Sequence, residues 1–422
     1  MRDPRRLPFV LQALLVAPPI LAFFSLPNAR AQQNAPESTP PRGVRHEFGI
    51  VPLVGGDTDV GIGVGELSTL AALAPGVSPY LWKIESAAFI SFAPDRGPGG
   101  SFSLPYQDYF IEGILPGLLG GRLRLRVRPS YTKETTQRYY GLGNASPAQA
   151  QDVPNRDFYG RTHPTLWVHA RYELLARLFL ELGSSYTQNF FDVPPTSTLA
   201  AEMLAGSPAV RALLGEAKTH GVLLAEAGLH LDTRDNDVSP ERGQFHQIKV
   251  RVSPRGGGWA PYGYQQVNFT TRGYFTMVPQ RLIAASRLVV DVQTGNPPFY
   301  ELARYEDTFA LGGVNGIRGV PGQRYYGKVK VFANGELRSQ LVSFDLWGKR
   351  LALGAAGFFD VGRLWADLAP HPDLDGTGWG LKYGAGGGLR LQQGKTFIVR
   401  GDLAWSPDAR PIGVYVAAGQ LF

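Results

Sequence analysis

The chain has 422 residues, no cysteine, 52 glycines, 33 prolines, 18% charged and 11% aromatic residues, and a formal net charge of +7. Without cysteine neither a disulfide framework nor a thiolate metal site can form, and this composition argues against disorder. The positive charge is spread thinly, with no lysine–arginine block to mark a nucleic-acid footprint, so nucleic acid is not an expected partner.

Residues 1–31 have the three parts of a secretory signal. Arg2, Arg5 and Arg6 form a positive start, Leu7 to Leu26 is an apolar run, and Ala29-Arg30-Ala31 places small residues around a cut before Gln32. Pro18 and Pro19 inside the run weigh against a retained anchor. Downstream no run of about 18 apolar residues could make a spanning helix. Residues 32–44, QQNAPESTPPRGV, are polar and proline-rich and read as a flexible periplasmic leader. The expected layout is a signal peptide over 1–31, a leader over 32–44 and one domain over 45–422.

From His46 onward, alternating segments recur between turn signals. In GRLRLRVRPSY, Arg122, Arg124, Arg126 and Arg128 share one face, with Leu123, Leu125 and Val127 on the other. Val267, Phe269 and Phe275 oppose Asn268, Thr270, Arg272 and Tyr274, and Leu403 and Trp405 oppose Arg400 and Asp402. A period of two with one charged and one large apolar face marks a strand between two solvents. Strands are expected at 45–54, 57–67, 80–93, 100–112, 121–133, 163–175, 178–191, 221–233, 243–254, 262–277, 280–293, 324–342, 350–365, 379–392, 396–407 and 412–422. The longest connections, 134–162, 192–220 and 294–323, all follow odd-numbered strands, while very short ones near Ala176 and Pro279 follow even-numbered strands. Soluble sandwiches and propellers also alternate, but long loops at one rim and short turns at the other describe an outer-membrane barrel. The fold class is therefore all-β, a transmembrane antiparallel β-barrel of about 16 strands. An arginine at the lipid midplane costs about 2–4 kcal/mol, so the row at 122–128 must face the lumen. Leu199 to Lys218, rich in Ala, Leu and Glu, is expected to add a short external helix.

Four stretches, in order, resemble the superfamily of bacterial surface antigens that includes the BamA and TamA assembly barrels and the two-partner secretion transporters. Asp232-Thr233-Arg234-Asp235-Asn236, followed by Pro240, Arg242 and Gly243, is similar to that family's periplasmic turn. Gly316-Ile317-Arg318-Gly319 is similar to its signature loop, Phe358-Phe359-Asp360-Val361-Gly362 to its F-x-D-x-G strand, and Glu336 occupies the place of its strand acid. Tyr139 to Asn144, YYGLGN, is a weaker likeness. After Gly319 comes Val320-Pro321 rather than the family's aromatic, leaving Tyr325 and Tyr326 as candidates to supply the ring. The resemblance is to a barrel-only branch, since residues 32–46 leave no room for a periplasmic POTRA domain.

The resemblance implies that the 294–323 connection folds into the barrel. A guanidinium there needs acceptors, and the expected partners of Arg318 are Asp360 first and Glu336 second. The alternative is a surface arginine binding lipopolysaccharide phosphates. The last residues, with Gly419 and a final Phe422, have the form of the family's barrel-assembly signal, and the family's last strand meets its first, here about Glu47 to Val54, at a seam that can open. Gly384 to Gly388, GAGGG, is expected to weaken and bend its strand.

No metal, cofactor or catalysis is expected: the seven histidines lack ligand spacing, and no G-x-S-x-G or H-E-x-x-H occurs. The location expected is the cell outer membrane. Expected partners are outer-membrane lipid and lipopolysaccharide, the barrel assembly machinery during biogenesis, and a client protein or lipid. The function implied is insertion or translocation of a macromolecular client; the alternative is a passive channel or structural barrel.

Overall fold

The computed structural model describes residues 43–422 apart from 58–59, 78, 95–101, 148–151, 154, 280, 307, 347–348, 395–396 and 409–411. The expected signal peptide, and the leader as far as residue 42, lie outside the described residues. Sixteen long strands are described: β1 (Arg45–Asp57), β2 (Gly61–Leu73), β3 (Trp82–Pro94), β4 (Tyr106–Leu118), β5 (Leu123–Arg138), β6 (Phe158–Leu175), β7 (Leu178–Asp192) and β8 (His220–Asp232) make the first half. The second half is β9 (Gly243–Ser253), β10 (Tyr264–Val278), β11 (Leu282–Gly295), β12 (Val329–Leu346), β13 (Lys349–Trp365), β14 (Lys382–Gln393), β15 (Phe397–Trp405) and β16 (Gly413–Ala418). Each pairs antiparallel with its sequence neighbours, and β16 returns to β1, so the sheet closes into a barrel. Closure lets strands pass through lipid with their backbone groups paired.

Alternation along each strand sorts residues between the two faces. On β10, Val267 and Phe269 are exposed outward, whereas Asn268 and Thr270 are buried inside. Long connections sit at one rim and short turns at the other, which orients the long-loop rim outward from the cell.

Four strands start four or more residues from their expected places, β6 at Phe158 rather than 163 and β12 at Val329 rather than 324 among them. β2 starts at Gly61 rather than residue 57, and β4 at Tyr106 rather than 100. Before β4, Phe102 and Ser103 form a separate two-residue strand against Ala93 and Pro94. Pro105, which has no N–H to give a ladder, separates the two pieces.

The long-loop rim is capped. The connection after β7 folds into two helices, α1 (Thr198–Ala205) and α2 (Pro208–Leu214), rather than one. Gly206-Ser207-Pro208 divides them: Ser207 caps α2 through the Val210 N–H, as Ser197 caps α1 through Ala200. Leu199 and Leu214 pack with Tyr139, Tyr159, Phe299 and Tyr326 in a buried cluster under the cap. The connection from 296 to 328 turns inward, and its Ile317, Val320 and Tyr325 bury against Val289, Phe332 and Leu364 of the wall.

Candidate functional site

Arg318 is fully buried inside the barrel. Its Nε and Nη2 donate to Asp360 Oδ2 and Oδ1 at 2.8 and 2.9 Å, a two-pronged carboxylate contact, and its backbone N–H adds a third bond to the same carboxylate at 3.1 Å. Its Nη1 donates to Glu336 Oε1 at 2.5 Å. Beneath the guanidinium lies the Phe358 ring, 3.5 Å to its centroid. Asp360 is on β13 and Glu336 on β12; Asn334 is the residue opposite Asp360, so the two acids stand two positions apart across one ladder.

The sequence reading missed several members of this cluster. Asp402 on β15 lies 3.5 Å from Arg318 Nη1 and accepts from Arg390 at 2.5 Å. Arg338 donates to the other oxygen of Glu336 at 2.7 Å, and Arg400 lies 3.5 Å from Asp402. Four guanidiniums therefore face three carboxylates. Asp402 was legible as a lumen-facing residue, but nothing in a single sequence places β15 beside the loop.

Glycines make room for the loop. Gly319 has φ +92°, and a Cβ there would come within 2.8 Å of the Trp405 backbone. Gly316 lies against the Ala310 carbonyl and its own oxygen accepts from Asn334 at 2.8 Å. The Gly319 N–H donates to the Tyr415 hydroxyl at 2.9 Å, tying the loop to the last strand. The missing aromatic is not replaced at this spot by a neighbouring tyrosine. Tyr326 stacks edge-on against Tyr139 and donates to the Arg138 carbonyl under the cap, and Tyr325 lies against Arg324 and Lys382. The ring against Arg318 is Phe358, from the strand motif itself.

The turn from β8 to β9 is built by its own acids. Arg234 donates to both oxygens of Asp232 at 2.9 and 2.7 Å. Asp235 accepts from the backbone of Glu241 and Arg242, and Gly243, at φ +104°, fits against the Thr233 carbonyl. The Arg242 side chain is exposed, 4.0 Å from Asp235.

With this geometry in place, the sequence itself matches the Omp85 superfamily domain over residues 102–422. The chain belongs to the Omp85 superfamily. It is an outer-membrane barrel of that family. No curated protein matches it. Among solved structures it is similar to BamA from Haemophilus ducreyi lacking POTRA domains 1–3, with TM-score 0.58 and 14% identity, covering 89% of this chain and 70% of that one. It is also similar to CdiB from Escherichia coli, with TM-score 0.56 and 12% identity, covering 90% of this chain and 64% of that one. At these identities the likeness is one of fold, and the chain spans less than two thirds of CdiB.

The two ends of this Omp85 barrel meet sparingly. Among the described residues β16 pairs with β1 only at Gly56↔Val416 and Asp57↔Tyr415. This corrects the expected position of the seam: Glu47 to Val54 pair with β2 and have no ladder partner on their other side among the described residues. After β16, Gly419 (φ +80°) turns the chain, and Leu421 and Phe422 are buried against Tyr274 and Ala285. Arg338 donates to the Phe422 carbonyl oxygen at 3.1 Å. The final residues thus lie against the inner wall instead of extending the last ladder.

Proposed function

We propose that this Omp85 barrel inserts or translocates a macromolecular client, protein or lipid, with the inner loop locked by Arg318, Asp360 and Glu336 and the β1–β16 seam as its gate. The observation that carries this reading is the seam. Among the described residues it has two paired rungs, against thirteen between β1 and β2 and six between β15 and β16. A backbone hydrogen bond contributes about 0.5–1.5 kcal/mol net, so parting two rungs costs far less than parting the ladder between any other neighbouring pair of the sixteen strands. The edge of β1 from Glu47 to Val54, unpaired among the described residues, offers N–H and C=O groups to an incoming strand. The lock has a matching purpose: a loop pinned to β12, β13 and β15 keeps that half of the wall rigid while the seam moves. The reading is non-enzymatic.

The alternative is a passive channel or structural barrel, and a lumen cavity of about 660 Å³ with Asp108, Arg126, Arg128 and Glu134 among its lining residues favours it. Against it stand the packed cap and the buried loop, which obstruct the long-loop end. Removing the protein from cells and profiling the outer membrane separates the two. Loss of a specific client from that membrane is expected; an unchanged profile with reduced solute uptake would overturn the proposal.

A further inference from the structure

The arginine row of β5 has no part in the lock. Arg126 donates to Glu112 at 2.6 Å, and Arg126 and Arg128 line the lumen cavity, which fixes the inward face of the row. Arg124, on the same face, stands directly opposite Arg171 of β6 in the ladder. Like charges at such a rung repel. Yet neither Arg124, Arg171 nor Arg128 forms an ion pair among the described residues. Arg128 lies 3.7 Å over the Phe110 ring and Arg171 is 5.1 Å from that of Phe179, contacts that leave guanidinium donors unused. The acid nearest in the ladder, Glu181 opposite Arg171, is engaged by His230 at 3.2 Å and by Gln247 at 3.0 Å. Farther up the same cavity, Arg161 is buried on the Tyr300 ring; among the described residues its only acceptor is the Asn189 amide, and its Nη1 has none.

We propose that the lumen wall from Arg124 and Arg171 at the short-turn rim to Arg128 at the cavity is a binding site for a phosphate-bearing anion. Guanidinium forks match phosphate oxygens in pairs, and an anion seated between Arg124 and Arg171 removes their repulsion. Asp108 and Glu134 also line the cavity, but Asp108 accepts from Thr132 at 2.9 Å and Glu134 is paired with Arg304 at 3.2 Å. The adjoining cavity, lined by Arg126, Arg128 and Arg161 though not by Arg124 or Arg171, has a volume of about 660 Å³, the size of a small-ligand site, which leaves room for the rest of a headgroup or a short polyphosphate and not for a polypeptide threading the barrel. The cavity reaches Gly56 and Val416 of the seam, so the phosphate could come with a lipid from the bilayer or free from the aqueous side. The site stands independently of the translocation reading.

The test is calorimetric titration of the full-length protein in a zwitterionic detergent with inorganic pyrophosphate at low salt. Arg124→Gln/Arg171→Gln is expected to weaken binding at least tenfold, Arg124→Lys/Arg171→Lys to weaken it less, and Arg45→Gln, at the exposed start of β1, to leave it unchanged. Retention of the compact band in unheated gel electrophoresis shows that each variant is folded. Native mass spectrometry of protein extracted from membranes then assigns the source: phospholipid retained by wild type and lost in the double variant marks a lipid headgroup, and its absence beside intact pyrophosphate binding marks free phosphate. No binding of millimolar pyrophosphate by wild type, equal binding by the double glutamine variant, or tighter binding of a poly-glutamate peptide would overturn the proposal.

Discussion

Gly384 of β14 lies against Arg318: a Cβ at position 384 would fall 1.9 Å from the Arg318 carbonyl oxygen. The GAGGG run therefore gives its strand a place for another backbone to approach, beyond the bend expected from the sequence. Gly386 likewise abuts Phe358, the ring beneath the guanidinium. Gly384→Val is expected to displace the loop at a cost of about 1–3 kcal/mol, the usual range for overpacking. A lowered midpoint of the heat-induced gel-mobility shift checks it, with Gly357→Val, where nothing would meet a Cβ, as the matched control.

Arg318→Ala leaves Asp360 without its two-pronged partner inside the barrel. Breaking a buried pair by removing one member costs about 3–5 kcal/mol. The expected result is a lowered unfolding midpoint together with steady conductance in planar bilayers. Arg318→Lys should recover part of the stability, because an ammonium restores charge but cannot hold Asp360 and Glu336 in one plane. Equal behaviour of the two variants would show that the fork geometry is unimportant.

Asp402→Asn keeps the shape of the side chain and removes a charge shared by Arg318, Arg390 and Arg400. Charge-assisted bonds contribute about 1.5–3 kcal/mol, and a loss in that range is expected. In a double-mutant cycle with Arg390→Gln the two losses should not add, since the residues are in contact.

The facing of the strands is tested from outside. Ile248 is exposed on the outer face of β9, near the middle of the strand. Ile248→Arg should cost about 2–4 kcal/mol in a bilayer. Gln247→Arg, one residue away on the lumen face and within reach of Glu181, should cost much less. Similar losses at both positions would contradict the assigned faces.

Much of this fold was legible because a period of two survives single residues and loop lengths alternate by rim. The same logic put Asp360 and Glu336 on lumen faces, whereas the inward turn of the loop that carries Arg318 was implied by the family resemblance. Register between distant strands was less accessible. Asp402 joins Arg318 across 84 positions of sequence, and only the closed sheet brings them together. The seam was misplaced for a related reason: Glu47 to Val54 alternate well enough to pair on both sides, yet β16 ends at Ala418 and Gly419 turns the chain inward. Where Pro105 interrupts a strand, or glycines alternate as in Gly61-Ile62-Gly63-Val64-Gly65, the apolar rhythm that sets boundaries fades and the starts of β4 and β2 were set too early.

The seam as gate is tested most directly by closing it. The protein has no cysteine, so a pair introduced across the seam supplies the only thiols. Gly55, whose Cβ would lie 3.2 Å from the Val416 carbonyl oxygen, and Ala417 are suited to Gly55→Cys and Ala417→Cys. In cells relying on this variant, oxidation is expected to remove the client from the outer membrane and reductant to restore it, with either single variant unaffected. A fully cross-linked barrel that still delivers its client would contradict the account.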